Sequence, residues 1–175
     1  MARILIIYSS TDGHTRKICQ RLKQMAESRN NQVTLVSVDN VTTDLNSFDK
    51  IIIGASIRYG RHSRQIYEFI KDNQKILDSR PNAFFSVNVV ARKAEKCKPE
   101  TNPYLQKFLR QITWKPRKLG VFAGKIEYRK YRYLDRLMIR LIMWMTDGPT
   151  DPDTCVEFTD WNQVAEFGQV IHEMK

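Results

Sequence analysis

Hydrophobic positions along this chain follow two alternating rhythms. Short apolar runs occur at residues 3–8, Val33–Val38, Ile51–Ala55, Ala83–Val90 and Leu119–Gly124, and they are rich in β-branched and aromatic residues. Ile51–Ala55 shows no polar alternation, as expected of a strand covered on both faces. Between the runs, apolar residues recur at helical spacing. Ile18, Leu22 and Met25 do so in 14–28, with Cys19 and Ala26 alongside, and Ile66, Phe69, Ile70 and Leu77 do so in 63–77. A helix around 101–112 has Thr101 or Asn102 as its cap and Pro103 at an early position. A last helix starts at the capping residue Asp160 and turns Trp161, Val164, Phe167 and Ile171 inward. Five strands alternating with helices predict an open parallel α/β sheet, in a single domain spanning residues 1–175.

One segment breaks the rhythm. About thirty residues separate Gly124 from the strand-like Cys155–Phe158, where a βα connection needs only a few. Within this insertion, residues 125–154, Arg129, Arg132, Arg136 and Arg140 recur at a spacing that places them on one helix face. Leu134, Leu137, Met138, Leu141, Ile142, Trp144 and Met145 take most of the remaining circumference. A wide apolar face on a short basic helix is expected of a segment lying on an anionic membrane surface, here over residues 129–146. The alternative is a helix docked on its own domain or on a second subunit, which leaves an oligomer open.

Charge points the same way. The chain carries a net charge of +10, and residues 92–140 hold 15 basic and 4 acidic side chains, so its middle is suited to an anionic partner. Aromatic residues interleave with that basic segment, but its apolar helix suits a membrane better than a phosphate groove, so nucleic acid is not expected as a partner. The three cysteines, Cys19, Cys97 and Cys155, are far apart and lack metal-ligand spacing. They read as buried or idle thiols of a reducing cytosol, with no metal site. The apolar run at 4–7 is too short for a secretory signal, and no stretch is long enough to span a bilayer.

In a sheet of this kind, ligands sit beyond the carboxyl ends of the strands, where the strand order reverses. Three segments converge there: 9–15, 54–61 and 86–93. In the first, Gly13 lets the backbone approach a ligand, and Ser10, Thr11 and Thr15 offer hydroxyls. The following helix points free N–H groups at an anion, so a phosphate monoester, most simply that of FMN, is expected. The second offers a tight turn at Gly60, with Tyr59 or Ile57 as a surface for a flat ring. The third supplies backbone groups, with Asn88 either a ligand contact or a strand-end cap. His14 and His62 read as exposed loop or helix-start histidines, and no residue stands out as a general base.

Ser10-Thr-Asp-Gly-His-Thr15 resembles the flavodoxin phosphate pattern S/T-x-T-G-x-T, with Asp12 in place of the usual threonine. Gly54–Gly60, Ser86–Lys93, Tyr131–Met143 and Thr159–Trp161 resemble the quinone-dependent protoporphyrinogen IX dehydrogenases, flavodoxin-like enzymes of bacterial haem biosynthesis. That resemblance implies a five-stranded parallel sheet of order 2-1-3-4-5 with helices on both faces and a long insertion after or within the fifth strand. It implies FMN held by Ser10, Thr11, Asp12, Gly13, His14 and Thr15, by Ser56, Ile57, Arg58, Tyr59 and Gly60, and by Ser86, Val87, Asn88 and Val89. It also implies a six-electron oxidation of protoporphyrinogen IX, with the flavin N5 accepting hydride and menaquinone or ubiquinone receiving the electrons. Arg58, Arg61, Arg92, Lys93, Arg129 and Arg132 are then candidates for the two propionates. The place implied is the cytoplasmic face of the bacterial inner membrane, as a peripheral protein. A flavodoxin-type electron carrier is disfavoured by the positive charge, since such carriers are generally acidic. An FMN-dependent quinone reductase would need a nicotinamide site that the sequence does not display.

Overall fold

A computed structural model describes all residues, 1–175. Strands β1 (Arg3–Ser9), β2 (Gln32–Ser37), β3 (Lys50–Ser56), β4 (Asn82–Asn88) and β5 (Lys118–Ala123) form one sheet in the order β2-β1-β3-β4-β5. Every neighbouring pair is parallel. The helices are α1 (His14–Glu27), α2 (Arg64–Ser79), α3 (Pro103–Gln111), α4 (Tyr133–Met145) and α5 (Trp161–Glu173). The strand order reverses at β1 and β3, so their carboxyl ends flank a crevice.

The two-residue period of each strand divides the core into two layers. Leu5, Ile7, Ile51, Ile53 and Phe84 face one side, under Ile66, Ile70, Leu105 and Phe108 of α2 and α3. Ile4, Ile6, Ile52, Phe85 and Val87 face the other, under Ile18, Leu22, Val164, Phe167 and Ile171 of α1 and α5. Fully burying each such side chain contributes about 1.5–3 kcal/mol, which is why the apolar runs read through without polar interruption. Phe85 explains the glycine inside β3. Its register partners are Gly54 on one side and Gly120 on the other, and a Cβ on Gly54 would lie 2.2 Å from the Phe85 ring.

The fourth strand ends at Asn88, not at Val90 as the apolar run suggests. The Asn88 side chain accepts a hydrogen bond from Ala91 N at 3.1 Å and starts a 3-10 turn over Val89–Arg92. Of the two cap candidates for α3, Asn102 takes the role, accepting from Leu105 N at 3.1 Å. Asp160 caps α5 as expected.

The insertion departs at Gly124 and returns at Phe158, whose N–H donates to Gly124 O at 3.0 Å. It is framed by β6 (Lys125–Glu127) and β7 (Cys155–Glu157), which pair antiparallel. The expected arginine stripe does not form. Arg129 lies in a 3-10 turn over Tyr128–Lys130, and Arg132 precedes α4 as its cap. Arg136 and Arg140 do lie on the helix, but they donate to Tyr128 O and Thr150 O at 3.1 and 2.9 Å, within the insertion. The cause is a small core of Ile126, Tyr128, Tyr131 and Met143, which turns the chain before the helix can begin. The outer face of α4 is apolar and open to solvent, with Tyr133, Leu134, Leu137, Leu141, Trp144 and Met145 all exposed. No helix is long and apolar enough to cross a membrane. Of the cysteines only Cys19 is buried, and burial pushes its thiol pKa up; Cys155 is exposed.

Candidate active site

The crevice at the strand reversal holds a cavity built by three loops and one helix. Its floor is the segment after β1. Gly13 has φ +84°, and a Cβ there would meet nothing within 4 Å, so backbone conformation rather than space calls for glycine. The first turn of α1 has neither a side-chain cap nor an acidic residue, which leaves its N-terminal N–H groups and dipole for an anion. Thr15 is buried, lines the cavity, and has an Oγ1 without a hydrogen-bond partner in the protein. A buried hydroxyl left unpaired is costly, so a phosphate oxygen at this point suits the residues present. The phosphate monoester of FMN fits this loop.

The second wall is the turn after β3. Arg58 N donates to Arg61 O at 2.9 Å and Arg61 N to Arg58 O at 3.2 Å, closing a turn in which Tyr59 and Gly60 have φ of +51° and +74°. Both central residues lie in the left-handed region, as in a type I′ turn, and the non-glycine Tyr59 is held there under strain. The third wall runs from Val87 to Val90. The Asn88 side chain is spent as a cap rather than offered to a ligand. Its Nδ2 donates to Ser86 Oγ and Asn102 Oδ1, both at 3.2 Å, and its Oδ1 accepts from Asn102 Nδ2 at 3.1 Å. Ser86 is likewise turned inward, so this wall presents backbone and valine side chains.

The roof is the insertion. Tyr131, Asp135, Met138, Ile139, Ile142 and Met143 line the cavity beside Tyr104, Gly124 and Lys125. The sequence pattern assigns Met138 and Ile142 to the outward apolar face of α4, whereas both line the cavity, and it leaves this inner face unassigned. The recurrence of Asp135, Ile139, Ile142 and Met143 at helical spacing was its signal. Every residue expected to hold FMN lines the cavity except Ser86 and Gly13. Gly13 lines an adjoining polar groove with Lys17, Lys125, Lys130, Glu127 and Glu157.

Both histidines depart from expectation. His62 is buried edge-on against the stacked rings of Phe84 and Phe108, donates its Nδ1–H to Ser56 O at 3.1 Å, and has no partner at Nε2. Burial drives its pKa down to about 4, so it is a neutral core residue. His14 is half-buried. Thr159 gives its hydroxyl hydrogen to Ala123 O at 2.7 Å, so its oxygen accepts from His14 Nε2 at 2.6 Å. Burial, opposed by Glu157, lowers the His14 pKa. In the polar groove Lys17 pairs with Glu157 at 2.8 Å. Burial alone would raise the Glu157 pKa, but hydrogen bonds from Lys17 and Trp161 outweigh it and hold the carboxyl low.

Among the basic candidates only Arg58 lines the cavity. Its Nη1 meets both carboxylate oxygens of Asp12 at 3.2 Å, and its Nη2 donates to Asp135 of α4. Asp12 thereby gains a purpose: the residue that departs from the usual phosphate loop anchors the arginine over it. Arg92 donates to Val89 O and to Thr146 O and Oγ1, Arg129 pairs with exposed Asp153 at 3.1 Å, and neither lines the cavity. Lys93 lies 3.9 Å from Asp147, while Arg61 and Arg132 are exposed outside the cavity.

The chain matches the flavodoxin domain over residues 5–153. It is 42% identical to the protoporphyrinogen IX dehydrogenase [quinone] of Escherichia coli K12, over 97% of this chain and 94% of that one. The chain belongs to this family. The protein of the same name from Leishmania major is 40% identical over 94% of this chain and 72% of its own length. Among solved structures, oxidised flavodoxin 2 from Bacillus cereus superposes with a TM-score of 0.59 at 17% identity, covering 98% of this chain and 99% of that one. That likeness shows the flavodoxin-like fold, insertion included in the span. Family membership makes the protein an oxidoreductase of this class and extends through α4 and the roof it forms.

Proposed function

We propose that the protein, loaded with FMN, oxidises protoporphyrinogen IX to protoporphyrin IX and passes the electrons to a membrane quinone. What carries this reading is the 42% identity to the Escherichia coli enzyme over 97% of this chain, a span that takes in both the phosphate loop and the roof helix. Bound FMN supplies a two-electron acceptor, and three rounds complete the six-electron oxidation. The chain's own part is to hold and enclose. The loop around Gly13 and Thr15 receives the phosphate, and the Tyr59 and Val87–Val90 walls confine a flat ring. Ile139, Ile142 and Met143 offer an apolar ceiling to a largely apolar macrocycle. Arg58 is the cavity's guanidinium for a propionate.

The outer face of α4 rests on the bilayer surface in this reading, since it exposes a contiguous row from Tyr133 to Met145 beside Lys130 and Arg132. Such docking puts the roof of the site against the layer in which menaquinone or ubiquinone dissolves. The test is anaerobic mixing of FMN-loaded protein with protoporphyrinogen IX and a menaquinone analogue, followed by porphyrin fluorescence. The expected rise depends on both protein and quinone. A rate no faster than the protein-free control overturns the proposal.

A further inference from the structure

Arg58 is where three separate parts of the chain meet. Its guanidinium joins Asp12 of the phosphate loop to Asp135 of α4 and lies 5.8 Å from the ring centroids of both Tyr59 and Tyr131. The hydroxyl of Tyr59 also donates to Asp135. Asp135 is the single acidic residue of α4 and is 6% exposed. The other polar ties of the first half of α4 stay within the insertion, from Arg136 to Tyr128 O. The second half is secured at its far end, where Arg92 grips Thr146 and Met143 joins the small core. The front of the roof is thus held to the sheet by Asp135, and the back by a separate anchor.

A tetrapyrrole seated in the cavity would have to share it with the inner face of α4, from Asp135 to Met143. A propionate arriving at Arg58 would place a third carboxylate around one guanidinium already shared by two. Asp12 sits on the loop that frames the phosphate site, whereas Asp135 sits on a helix held at its far end. Like charges at that spacing repel, so the carboxylate on the less constrained element is the one to leave.

We propose that Asp135 occupies, in the free protein, the place on Arg58 that a substrate carboxylate takes, and is thereby a specificity-determining residue of the site. A ligand opens the roof only if it brings a carboxylate to replace the one it displaces. This rests on the reading of the protein as a protoporphyrinogen-oxidising enzyme. A macrocycle lacking carboxylates leaves Asp135 in place and the front of α4 closed.

The experiment compares FMN-loaded wild type, Asp135→Asn, Arg58→Gln and the double variant. It measures the Kd of protoporphyrin IX and of its dimethyl ester, KM and kcat for protoporphyrinogen, and amide hydrogen exchange over residues 133–141. Asparagine keeps an acceptor for Arg58 and Tyr59 but removes the competing charge. Asp135→Asn should tighten the free acid by roughly tenfold and the ester by clearly less, lower KM more than it changes kcat, and speed exchange in α4. In the Arg58→Gln background the gain should vanish. Weaker or unchanged binding of the acid by Asp135→Asn overturns the proposal, as does equal tightening of the ester. A fall in kcat at constant KM also overturns it, since Asp135 would then act in turnover rather than in recognition. Wild type that turns over no protoporphyrinogen sinks the functional reading instead, which separates the two failures.

Discussion

Thr15→Val should act with opposite signs on the free and the FMN-bound protein. The substitution replaces Oγ1 by a methyl group in nearly the same shape, at a residue 1% exposed whose hydroxyl has no partner within the protein. An unpaired buried hydroxyl costs roughly 1–3 kcal/mol, so removing it should stabilise the FMN-free protein by about 1 kcal/mol. For a chain of this size that is an increase of about 2–4 °C in melting temperature. In the proposed FMN complex the same hydroxyl would donate to a charged phosphate oxygen. Such bonds are worth roughly 1.5–3 kcal/mol, which predicts FMN binding weaker by about ten- to a hundredfold. Flavin fluorescence titration gives the Kd, and urea or thermal melting of stripped protein gives the stability. A variant that melts lower without FMN and binds FMN as tightly as the wild type refutes the assignment of Thr15 to the phosphate.

His62 makes stability depend on pH. Its folded pKa of about 4 lies below the usual 6.5, so between these values the unfolded chain binds the extra proton. The contribution is complete above pH 6.5 and is lost as pH falls, at about 1.4 kcal/mol per pH unit and about 3 kcal/mol in all. Half-buried His14 shifts in the same direction, so the diagnostic is the difference between wild type and His62→Leu in urea melts from pH 7 to 5. Parallel curves would refute it. The apolar face of α4 should govern membrane contact. Leu134→Glu with Trp144→Glu should release the protein from anionic liposomes, while Arg136→Gln should not, because that guanidinium is turned onto Tyr128 O. Unchanged sedimentation of the double variant would refute membrane contact through that face.

Sequence pattern reached the sheet, its flanking helices and the floor of the site because these depend on local chemistry. Apolar runs without alternation suit strands of a doubly covered sheet, and a glycine-bearing loop of hydroxyl residues between strand and helix suits an anion. What escaped it depends on contacts distant in sequence. The spacing of Arg129, Arg132, Arg136 and Arg140 is helical on paper, yet packing of Tyr128 and Tyr131 against Met143 bends the chain before α4 starts. Asn88 and Asn102 satisfy one another across fourteen residues, a pairing that leaves no trace in either local motif. Asp12 looks like a defect in a phosphate loop until Arg58 and Asp135 are placed beside it. His62 follows a polar turn and reads as exposed, but the aromatic pair of Phe84 and Phe108 encloses it.

The central claim is that FMN held above β1 is the immediate oxidant of protoporphyrinogen. Anaerobic stopped-flow mixing of FMN-loaded protein with protoporphyrinogen IX, with no quinone present, addresses it directly. The flavin absorbance should bleach as porphyrin fluorescence appears, with about three flavins reduced for each porphyrin formed, and a menaquinone analogue added afterwards should restore the colour. Flavin that stays oxidised while protoporphyrinogen persists, or porphyrin that forms without bleaching, would contradict it.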